Sequence, residues 1–281
     1  MSYSKIKSHA KLNLALNIVG KANSLHKIES IISFINLHDT ILIKRTKLKY
    51  HNISFYGRFS QNIYKKNTIS KLLQILEKKN LLKNQKFKIK VNKQIPNKAG
   101  LGGGSMNAAS ILKFFIKKKI INATKKEIVD ISKLIGSDII LGLNQKSAIL
   151  SSKNRLKYFS NIKKFYALVV KPNFGCSTKD IYSLVRKYNK SNLKKYDRTM
   201  FNFDKLKKMS NDLEIIALSK YPKLKKIKSY LENSLNPVFV RMTGSGSAFV
   251  AYFQSKKRCE RAKKRFNKKY KNYWCIASKT I

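Results

Sequence analysis

A glycine-rich segment near residue 100 is the part of the sequence with the clearest chemical potential. Four glycines fall within five positions, at Gly100 and at Gly102 to Gly104. Glycine adopts backbone conformations that other residues resist, so the N–H groups of such a segment can close around an anion. The start of a following helix adds free N–H donors and the positive end of its dipole. The segment therefore predicts a cradle for phosphate groups.

Two better-known phosphate-binding patterns do not describe this segment. The chain has no G-x-x-x-x-G-K-[ST] pattern, and G-x-G-x-x-G fails because Ser105 stands where the third glycine is required. A flexible glycine loop without a ligand is the competing interpretation. The glycine segment lies between a predicted strand and a predicted helix, and this position favours phosphate binding.

Phosphoryl transfer to an alcohol also calls for a carboxylate, which accepts the proton of the alcohol, and for a fixed ammonium group, which neutralises charge. The chain has only 13 acidic residues. Asp138 is the preferred base, because it follows Gly136 and Ser137 and precedes an apolar run that should enter the core. Asp39 and Asp130 are alternatives, each better interpreted as a solvated loop or helix residue. From the residues alone, Asp138 could equally be a simple turn residue.

The charge of the chain is strongly positive. Lys and Arg number 62 and the formal net charge is +49, which raises the possibility of a nucleic acid or an anionic membrane as a partner. The lysines are spread along the whole chain and accompany abundant Asn and Ile, as expected from a genome rich in A and T. We therefore expect weak, salt-sensitive binding to polyanions, but no specific nucleic acid and no membrane partner.

Hydropathy and cysteine usage favour a cytoplasmic protein. No apolar run approaches the roughly 18 residues that a membrane-spanning helix needs, and residues 1–11 lack the apolar segment of a signal peptide. Cys176, Cys259 and Cys275 are not spaced like metal ligands or a disulfide framework. A reducing cytoplasm and a monomer or weak dimer are the expectation.

The first half of the chain predicts a mixture of strands and helices. Hydrophobic patterns predict strands at residues 10–19, 28–34, 40–43 and 87–91, with a turn at 20–24. Asn67 can cap a helix, a second helix follows the glycine segment, and a third begins at a Thr124–Glu127 capping box and ends at Gly136. Residues 144–163 show no clear pattern and are a candidate domain junction.

The second half predicts the order β-α-β-β-α-β. Strands are expected at residues 166–170, 238–242, 248–253 and 273–278. Helices are expected after Ser177, within 203–232 and at 256–267. Extra helices aside, this order is a split βαβ arrangement. The sequence therefore predicts an α+β protein with two domains, at residues 1–157 and 158–281.

The glycine segment belongs to a longer pattern, P-x-x-x-G-L-G-G-G-S-x-N, which resembles the second motif of the GHMP kinases. These include galactokinase, homoserine kinase, mevalonate kinase and phosphomevalonate kinase. In this chain Met106 stands where the family usually has a second Ser or Ala. The resemblance implies that the loop and the following helix bind the phosphates of ATP through Pro96, Asn97, Lys98, Ala99, Gly100, Leu101, Gly102, Gly103, Gly104, Ser105 and Met106.

Two further segments resemble the same family. Residues 136–139, GSDI, are similar to its G-[AS]-D-[VI] segment, which implies that Asp138 is the catalytic base. Residues 10–14, AKLNL, are similar to its A-K-[IVL]-N-L segment, which implies that Lys11 is paired with that base. Alternate residues of a strand point to one face, so Asn13 is expected to face the substrate together with Lys11.

Other matches concern the nucleotide and the acceptor. Residues 241–248, RMTGSGSA, resemble the third family motif and imply nucleotide contacts at Gly244 and Ser245, while Asn67 and Lys93 match positions near the adenine. The acceptor side is implied to use His26, Thr178 and Tyr182. Leu25 stands where the most similar branch of the family has an aromatic residue.

The resemblance implies ATP-dependent phosphorylation of a small-molecule alcohol, with Mg²⁺ held by ligands that the sequence does not identify. The triple glycine is similar to the branch whose acceptor is a cytidine diphosphate-linked sugar alcohol, phosphorylated on its 2-hydroxyl group. A homoserine- or mevalonate-type alcohol is the alternative, supported by Leu25, and the charge supports a third interpretation, an RNA-binding protein. The implied fold is an N-terminal ribosomal-protein-like βα domain followed by a C-terminal ferredoxin-like domain.

Overall fold

The computed structural model describes residues 2–22, 25–191, 193 and 196–281. The chain divides into two compact units, each assembled from separate stretches of sequence. Unit 1 comprises Met1–Ala10, Leu37–Asn97 and Gly102–Gln145, and unit 2 comprises Lys11–Asn36, Lys98–Leu101 and Lys146–Ile281. The predicted single boundary after residue 157 stays a prediction.

Two long strands, β1 (Ser4–Ala22) and β2 (Leu25–Thr46), contribute residues to both units. The other elements of unit 1 are β3 (Asn52–Tyr56), α1 (Thr68–Lys78), β4 (Lys86–Asn92), α2 (Gly103–Lys117), α3 (Lys125–Ile135) and α4 (Ile139–Asn144). Those of unit 2 are β5 (Ser147–Leu150), β6 (Leu156–Phe159), β7 (Tyr166–Lys171), α5 (Thr178–Ser183), a 3₁₀ turn (Arg198–Phe201), α6 (Phe203–Lys207), α7 (Asp212–Lys220), α8 (Lys223–Leu235), β8 (Phe239–Met242), β9 (Phe249–Phe253), α9 (Lys256–Lys269) and β10 (Trp274–Lys279).

The core of unit 1 follows the hydrophobic periods of its elements. In β4 every second residue is buried, and the strand pairs antiparallel with β2 and parallel with β3. Helix α1 buries one face, as its spacing predicts. The buried residues of these two elements are Phe87, Ile89 and Val91 in β4, and Ile69, Leu72, Leu73 and Leu76 in α1.

Side chains cap two helices of unit 1 where the sequence predicts them. Asn67 and Ser70 form a capping box at the start of α1. Thr124 and Glu127 form another at the start of α3, and Gly136 terminates that helix. These caps satisfy N–H groups that the first turn leaves without helical partners.

The sheet of unit 2 has the strand order β10-β7-β9-β8, with every neighbouring pair antiparallel. Helix α9 connects β9 to β10 and buries Cys259, Ala262 and Phe266. The order of elements along the chain and the order of strands in the sheet are those of a split βαβ fold. The predicted ferredoxin-like arrangement is confirmed.

The strand boundaries predicted for the N-terminal region are partly wrong. Residues 28–34 and 40–43 belong to one continuous strand, β2, and the strand predicted at 10–19 is the middle of the longer β1. Asp39 lies between the two predicted strands and is interpreted from the sequence as a solvated loop or helix residue. However, the Asp39 carboxylate accepts hydrogen bonds from the N–H groups of Gln94 and Ile95, at 2.7 and 2.8 Å, inside unit 1.

Short strands in the patternless region also escaped prediction. Residues 144–163 contain β5 and β6, which pair with each other, and β5 also pairs with β2. Each has four residues, the lower limit at which a period-two pattern is recognised. The turn predicted at 20–24 lies partly outside the described residues, which omit 23 and 24, whereas residues 20–22 are strand.

None of the helices in the described part of the chain is long and apolar enough to cross a membrane. Cys176, Cys259 and Cys275, all of them described, form no disulfide. Burial raises the pKa of the Cys176 thiol to about 11, so this thiol stays protonated and unreactive at neutral pH.

We expect Thr124→Ala to lower the free energy of unfolding by about 1 kcal/mol, because the cap of α3 is lost. The Thr124 hydroxyl accepts from the N–H of Glu127 at 3.2 Å, and the Glu127 carboxylate accepts from the N–H of Thr124 at 2.8 Å. Urea titration measures the change. Lys126→Ala, an exposed change in the same turn, is the control, and equal losses in the two variants would contradict the prediction.

Candidate active site

Helix α2 starts inside the glycine segment without a capping side chain. Gly102 is its N-cap residue, with a φ of +70°, which glycine adopts without steric cost. The N–H of Met106 donates to the carbonyl of Gly102 at 2.8 Å. The N–H groups of Gly103, Gly104 and Ser105 come before this bond, so no carbonyl of the helix uses them. Three donors at the positive end of a helix are suited to phosphate oxygens.

A buried ion pair lies beside the start of α2. Asp39 is fully buried and forms a salt bridge with Lys93, whose side chain is also buried. The Asp39 carboxylate accepts from the N–H groups of Gln94 and Ile95 and, at 2.9 Å, from the side-chain amide of Asn107 in α2. Asp39 is therefore not the solvated residue that the sequence suggests. Four donors compensate its loss of water.

The same ion pair limits what Lys93 can do. A methyl group on Gly103 would come within 3.2 Å of the Lys93 ammonium and 3.0 Å of Ile95. The Lys93 ammonium is thus packed against the start of α2 and held by Asp39. What the structure shows for Lys93 is this supporting contact, and its role near adenine stays a prediction.

Asn67 caps α1, and Thr68 connects α1 to α2. The Asn67 side chain accepts from the N–H groups of the first turn of α1 and donates to the carbonyls of Tyr64 and Lys65 at 3.1 and 3.2 Å. The Thr68 hydroxyl donates to the carbonyl of Gly104 at 2.7 Å. Asn67 thereby shapes the loop in front of α1, and its contact with adenine stays a prediction.

Asp138 occupies the position before α4 and is half-buried. Its side chain does not cap the helix. The next residue, Ile139, is fully buried, so the chain enters the core directly after the carboxylate, as the sequence predicts. Asp130, by contrast, lies on α3 with its side chain 49% exposed and its carboxylate 3.9 Å from the ammonium of Lys133.

Met106 holds α2 against α4. A methyl group on Gly142 would lie 3.0 Å from the Met106 sulfur and 2.5 Å from the Ala109 side chain, so the two helices touch closely at this glycine. The Met106 side chain is fully buried and its N–H is already bonded to Gly102. Met106 therefore packs α2 against α4, and its contact with phosphate stays a prediction.

The rest of the glycine-segment residues differ in accessibility. Asn97 is exposed and donates to the carbonyl of Phe59 at 2.9 Å. Lys98 is exposed and packs over Gly175, where an added methyl group would come within 2.6 Å of the Lys98 side chain. The buried members are Pro96, Ala99 and Leu101, and the half-buried ones include Gly100, Gly102, Gly103 and Ser105.

In unit 2, Lys11 and Asn13 lie on one face of β1, as predicted. The Lys11 ammonium donates to the side-chain oxygen of Asn13 at 2.7 Å. The N–H of Lys11 donates to the carbonyl of Leu101 at 3.1 Å. Lys11 is 6% and Asn13 3% exposed. A lysine in this setting has a fixed position, unlike the solvated lysines that dominate the chain.

The hydroxyl of Thr243 joins the three matched motifs within unit 2. It accepts from the N–H of Asn13 at 3.0 Å and donates to the carbonyl of Gly100 at 3.2 Å. Gly100 has a φ of +73°, and a methyl group on it would stand 1.9 Å from the carbonyl oxygen of Thr243. The carbonyls of Lys98 and Ala99 accept further hydrogen bonds from the N–H groups of Ser247 and Ala248, respectively.

The third motif also reaches a predicted substrate residue. The hydroxyls of Thr178 and Ser245 are 2.9 Å apart and share a hydrogen bond. The carbonyl of Gly244 accepts from the side-chain amide of Asn211 at 2.7 Å. Thr178, Gly244 and Ser245 are thus held together, although their contacts with ligands stay predictions.

Two tyrosine rings lie close to His26 in unit 2. The centroids of His26 and Tyr182 are 5.2 Å apart, and those of His26 and Tyr188 are 6.3 Å apart. Burial and the neighbouring charge of Lys21 lower the pKa of His26 below its ordinary value, so the imidazole is neutral at neutral pH. Leu25 is 72% exposed.

Tyr188 is a residue that sequence reasoning missed. Nothing in the sequence distinguishes it from the other tyrosines, because its position depends on contacts with distant residues. The N–H of Asn189 donates to the carbonyl of Ile18 at 2.9 Å, and the Asn17 side chain donates to the carbonyl of Lys190 at 3.1 Å. These bonds fix the segment directly after Tyr188 to β1.

Two family models match the chain. Residues 67–150 match the GHMP kinases N terminal domain, and residues 192–272 match GHMP kinases C terminal. The first match contains the glycine segment and Asp138.

Known proteins resemble the chain over all or most of its length. A protein of Pelagibacter ubique (strain HTCC1062) named 4-diphosphocytidyl-2-C-methyl-D-erythritol kinase is 57% identical over 281 residues, all of both chains. A protein of the same name from Buchnera aphidicola subsp. Schizaphis graminum is 32% identical over 90% of this chain and 86% of its own. A crystal structure of 4-(cytidine 5'-diphospho)-2C-methyl-D-erythritol kinase matches with a TM-score of 0.78 at 21% identity, over 99% of each chain. A crystal structure of homoserine kinase from Cytophaga hutchinsonii matches with a TM-score of 0.71 at 15% identity, over 100% of this chain and 95% of its own.

We expect Gly100→Ala to lower the melting temperature, since its methyl group would collide with the carbonyl of Thr243 and its φ would be strained. Gly20→Ala is the control, because the nearest atom to its added methyl group is 3.9 Å away, at the end of Lys27. Differential scanning calorimetry compares the two. Equal melting temperatures would show that the contact between residues 100 and 243 is dispensable.

Proposed function

The chain belongs to the GHMP kinase family, and we propose that it transfers a phosphoryl group from ATP to the 2-hydroxyl group of 4-diphosphocytidyl-2-C-methyl-D-erythritol, a step of the methylerythritol phosphate route to isoprenoid precursors. The observation that carries the proposal is the 57% identity, without truncation of either chain, to the Pelagibacter kinase of that name. The geometry of each unit supports it independently.

Unit 1 supplies the site for the ATP phosphates. The N–H groups of Gly103, Gly104 and Ser105 bind phosphate oxygens at the start of α2. The Asp39–Lys93 pair and the Thr68 contact keep this start rigid, so the donors need no rearrangement as charge develops on the transferred group.

Mg²⁺ neutralises the phosphate charge when it is bound. The described residues contain no cluster of three or more His, Cys, Asp or Glu side chains suited to a metal ion. Mg²⁺ usually keeps several waters and is held by substrate phosphates and one or two protein oxygens. The hydroxyl of Ser105 is the oxygen of unit 1 that we assign to this role.

The reacting hydroxyl group requires a base and a nearby positive charge. Asp138 accepts its proton, and the family resemblance of residues 136–139 supports this role. Lys11, whose ammonium is held by Asn13, stabilises the negative charge that develops on the acceptor oxygen. Asn13 orients Lys11 and the acceptor.

The cytidine group of the acceptor binds at His26. A neutral imidazole offers one donor and one acceptor nitrogen, which matches the polar edge of cytosine. Tyr182 and Tyr188 provide aromatic surface next to it, so the absence of an aromatic residue at Leu25 does not leave the base without a stacking partner. This weakens the support that Leu25 lends to a homoserine or mevalonate acceptor. A cytoplasmic location and the oligomeric state stay predictions.

We expect Asp138→Asn to reduce kcat by about 10²–10⁴-fold, because the amide cannot accept the proton of the hydroxyl. Asp130→Asn is the matched control, since Asp130 is exposed on α3. A coupled assay of ADP release with the diphosphocytidyl acceptor measures both. Parental turnover in purified Asp138→Asn would reject Asp138 as the base.

We expect Lys11→Ala to lower kcat by a factor similar to that of Asp138→Asn, because Lys11 acts on the same hydroxyl group. The double variant Lys11→Ala/Asp138→Asn then loses no more than the worse single variant, because groups that act as a unit are not additive. Losses that multiply in the double variant would show that the two residues act independently.

We expect Tyr188→Ala to raise the KM for the diphosphocytidyl acceptor by about tenfold, as the loss of one base–aromatic stacking contact would, with the KM for ATP unchanged. Tyr188→Phe keeps the ring and should retain the parental value. Leu25→Ala, at an exposed position, is the second control. An unchanged acceptor KM in Tyr188→Ala would remove Tyr188 from the site.

A further inference from the structure

Ser30 of β2 connects to the Lys11–Asn13 contact. Ser30 is 1% exposed. Its hydroxyl accepts from the side-chain amide nitrogen of Asn13 at 2.8 Å and donates to the carbonyl of Ala15 at 2.6 Å. Nothing in the matched motifs assigns a role to this residue.

Chemistry alone fixes the direction of every bond in this chain of contacts. A protonated lysine can only donate, so Asn13 must present its oxygen to Lys11 and its NH₂ group to Ser30. A backbone carbonyl can only accept, so the single hydroxyl proton of Ser30 goes to Ala15. Ser30 is then left with lone pairs facing Asn13. The orientation of the amide follows from its partners at both ends.

We propose that Ser30 is a positioning residue, which holds the Asn13 amide in the one orientation that receives the ammonium of Lys11. The proposal rests on the proposed function for its kinetic consequences. Without the Ser30 hydroxyl, the buried NH₂ group of Asn13 has lost its acceptor, and rotation of the amide would place a donor against the ammonium. The Lys11 ammonium would then lose the Asn13 oxygen that orients it toward the acceptor.

Ser30→Val and Ser30→Thr are a matched pair, because the two side chains have the same shape and differ by the hydroxyl. Both variants add the same volume beside Ser30, so a difference between them reports on the hydroxyl and not on packing. We expect Ser30→Val to lower kcat by about 10- to 100-fold, the range for loss of a hydrogen bond in a network with a charged group. Ser30→Thr should stay within about threefold of the parent, with the KM for ATP unchanged in both.

Two comparisons separate positioning from folding. Ser33→Ala removes another buried hydroxyl of the same strand, which bonds to Ser147 at 3.0 Å, and it should leave kcat unchanged. In an Asn13→Ala background, Ser30→Val should cause no further loss of kcat, since Ser30 acts through Asn13. Parental kcat in Ser30→Val, an equal loss in Ser33→Ala, or a full further loss in the Asn13→Ala background would each overturn the proposal.

A readout without turnover distinguishes failure of this proposal from failure of the proposed function. Crystal structures of the parent, Ser30→Thr and Ser30→Val show whether the Lys11 ammonium stays on the Asn13 oxygen. We expect the contact in the parent and in Ser30→Thr and its loss in Ser30→Val. An intact contact in Ser30→Val overturns the role of Ser30. A parent enzyme that does not phosphorylate the diphosphocytidyl acceptor, but in which the contact depends on the hydroxyl, overturns the proposed function alone.

Discussion

The hydroxyl of Thr243 is the contact that organises the functional residues of unit 2. It accepts from the backbone of Asn13 and donates to the carbonyl of Gly100, so one side chain links a strand near the N-terminus, the glycine segment and the turn before β9. Gly100 must be glycine because the carbonyl of residue 243 occupies the space of its missing side chain. A close approach of two backbones, and not loop flexibility, is the reason for this glycine. The position of Lys11 depends on the same junction through its neighbour Asn13.

A buried ion pair, Asp39 and Lys93, stabilises the start of α2 in unit 1. Taking an ion pair out of water is costly unless further hydrogen bonds satisfy both partners, and Asp39 meets this requirement with Lys93, two backbone N–H groups and Asn107. The four bonds tie the segment after β4 to the first half of α2. Arg241 has an analogous position in unit 2, where it is buried and donates to the carbonyls of Leu14, Leu206 and Met209. Burial lowers its pKa.

Local signals in the sequence predicted local structure well. Caps such as Thr124–Glu127, the alternation in β4 and the glycine that starts α2 all depend on residues a few positions apart, and the structure has them where the sequence places them. Features set by distant partners were not predictable. The polar residue Asp39 suggested a loop because its partner Lys93 is 54 positions away. Met106 matched a phosphate-binding position, but its burial depends on Gly142 in another helix. Tyr188 has no local signature at all, since backbone bonds to β1 set its place.

The excess of positive charge does not by itself explain phosphate chemistry in this chain. Most of its 62 basic side chains extend into solvent, where water and salt screen them and where a flexible chain does not hold the ammonium in one place. Lys11 differs in two respects, because it is almost fully buried and because its ammonium has a fixed acceptor in Asn13. A charge with a fixed position in a site of low dielectric constant stabilises a transition state more than a mobile, solvated one does. Under the proposed function, the hydrogen bond that fixes Lys11 therefore matters more to phosphoryl transfer than the number of basic side chains in the chain does.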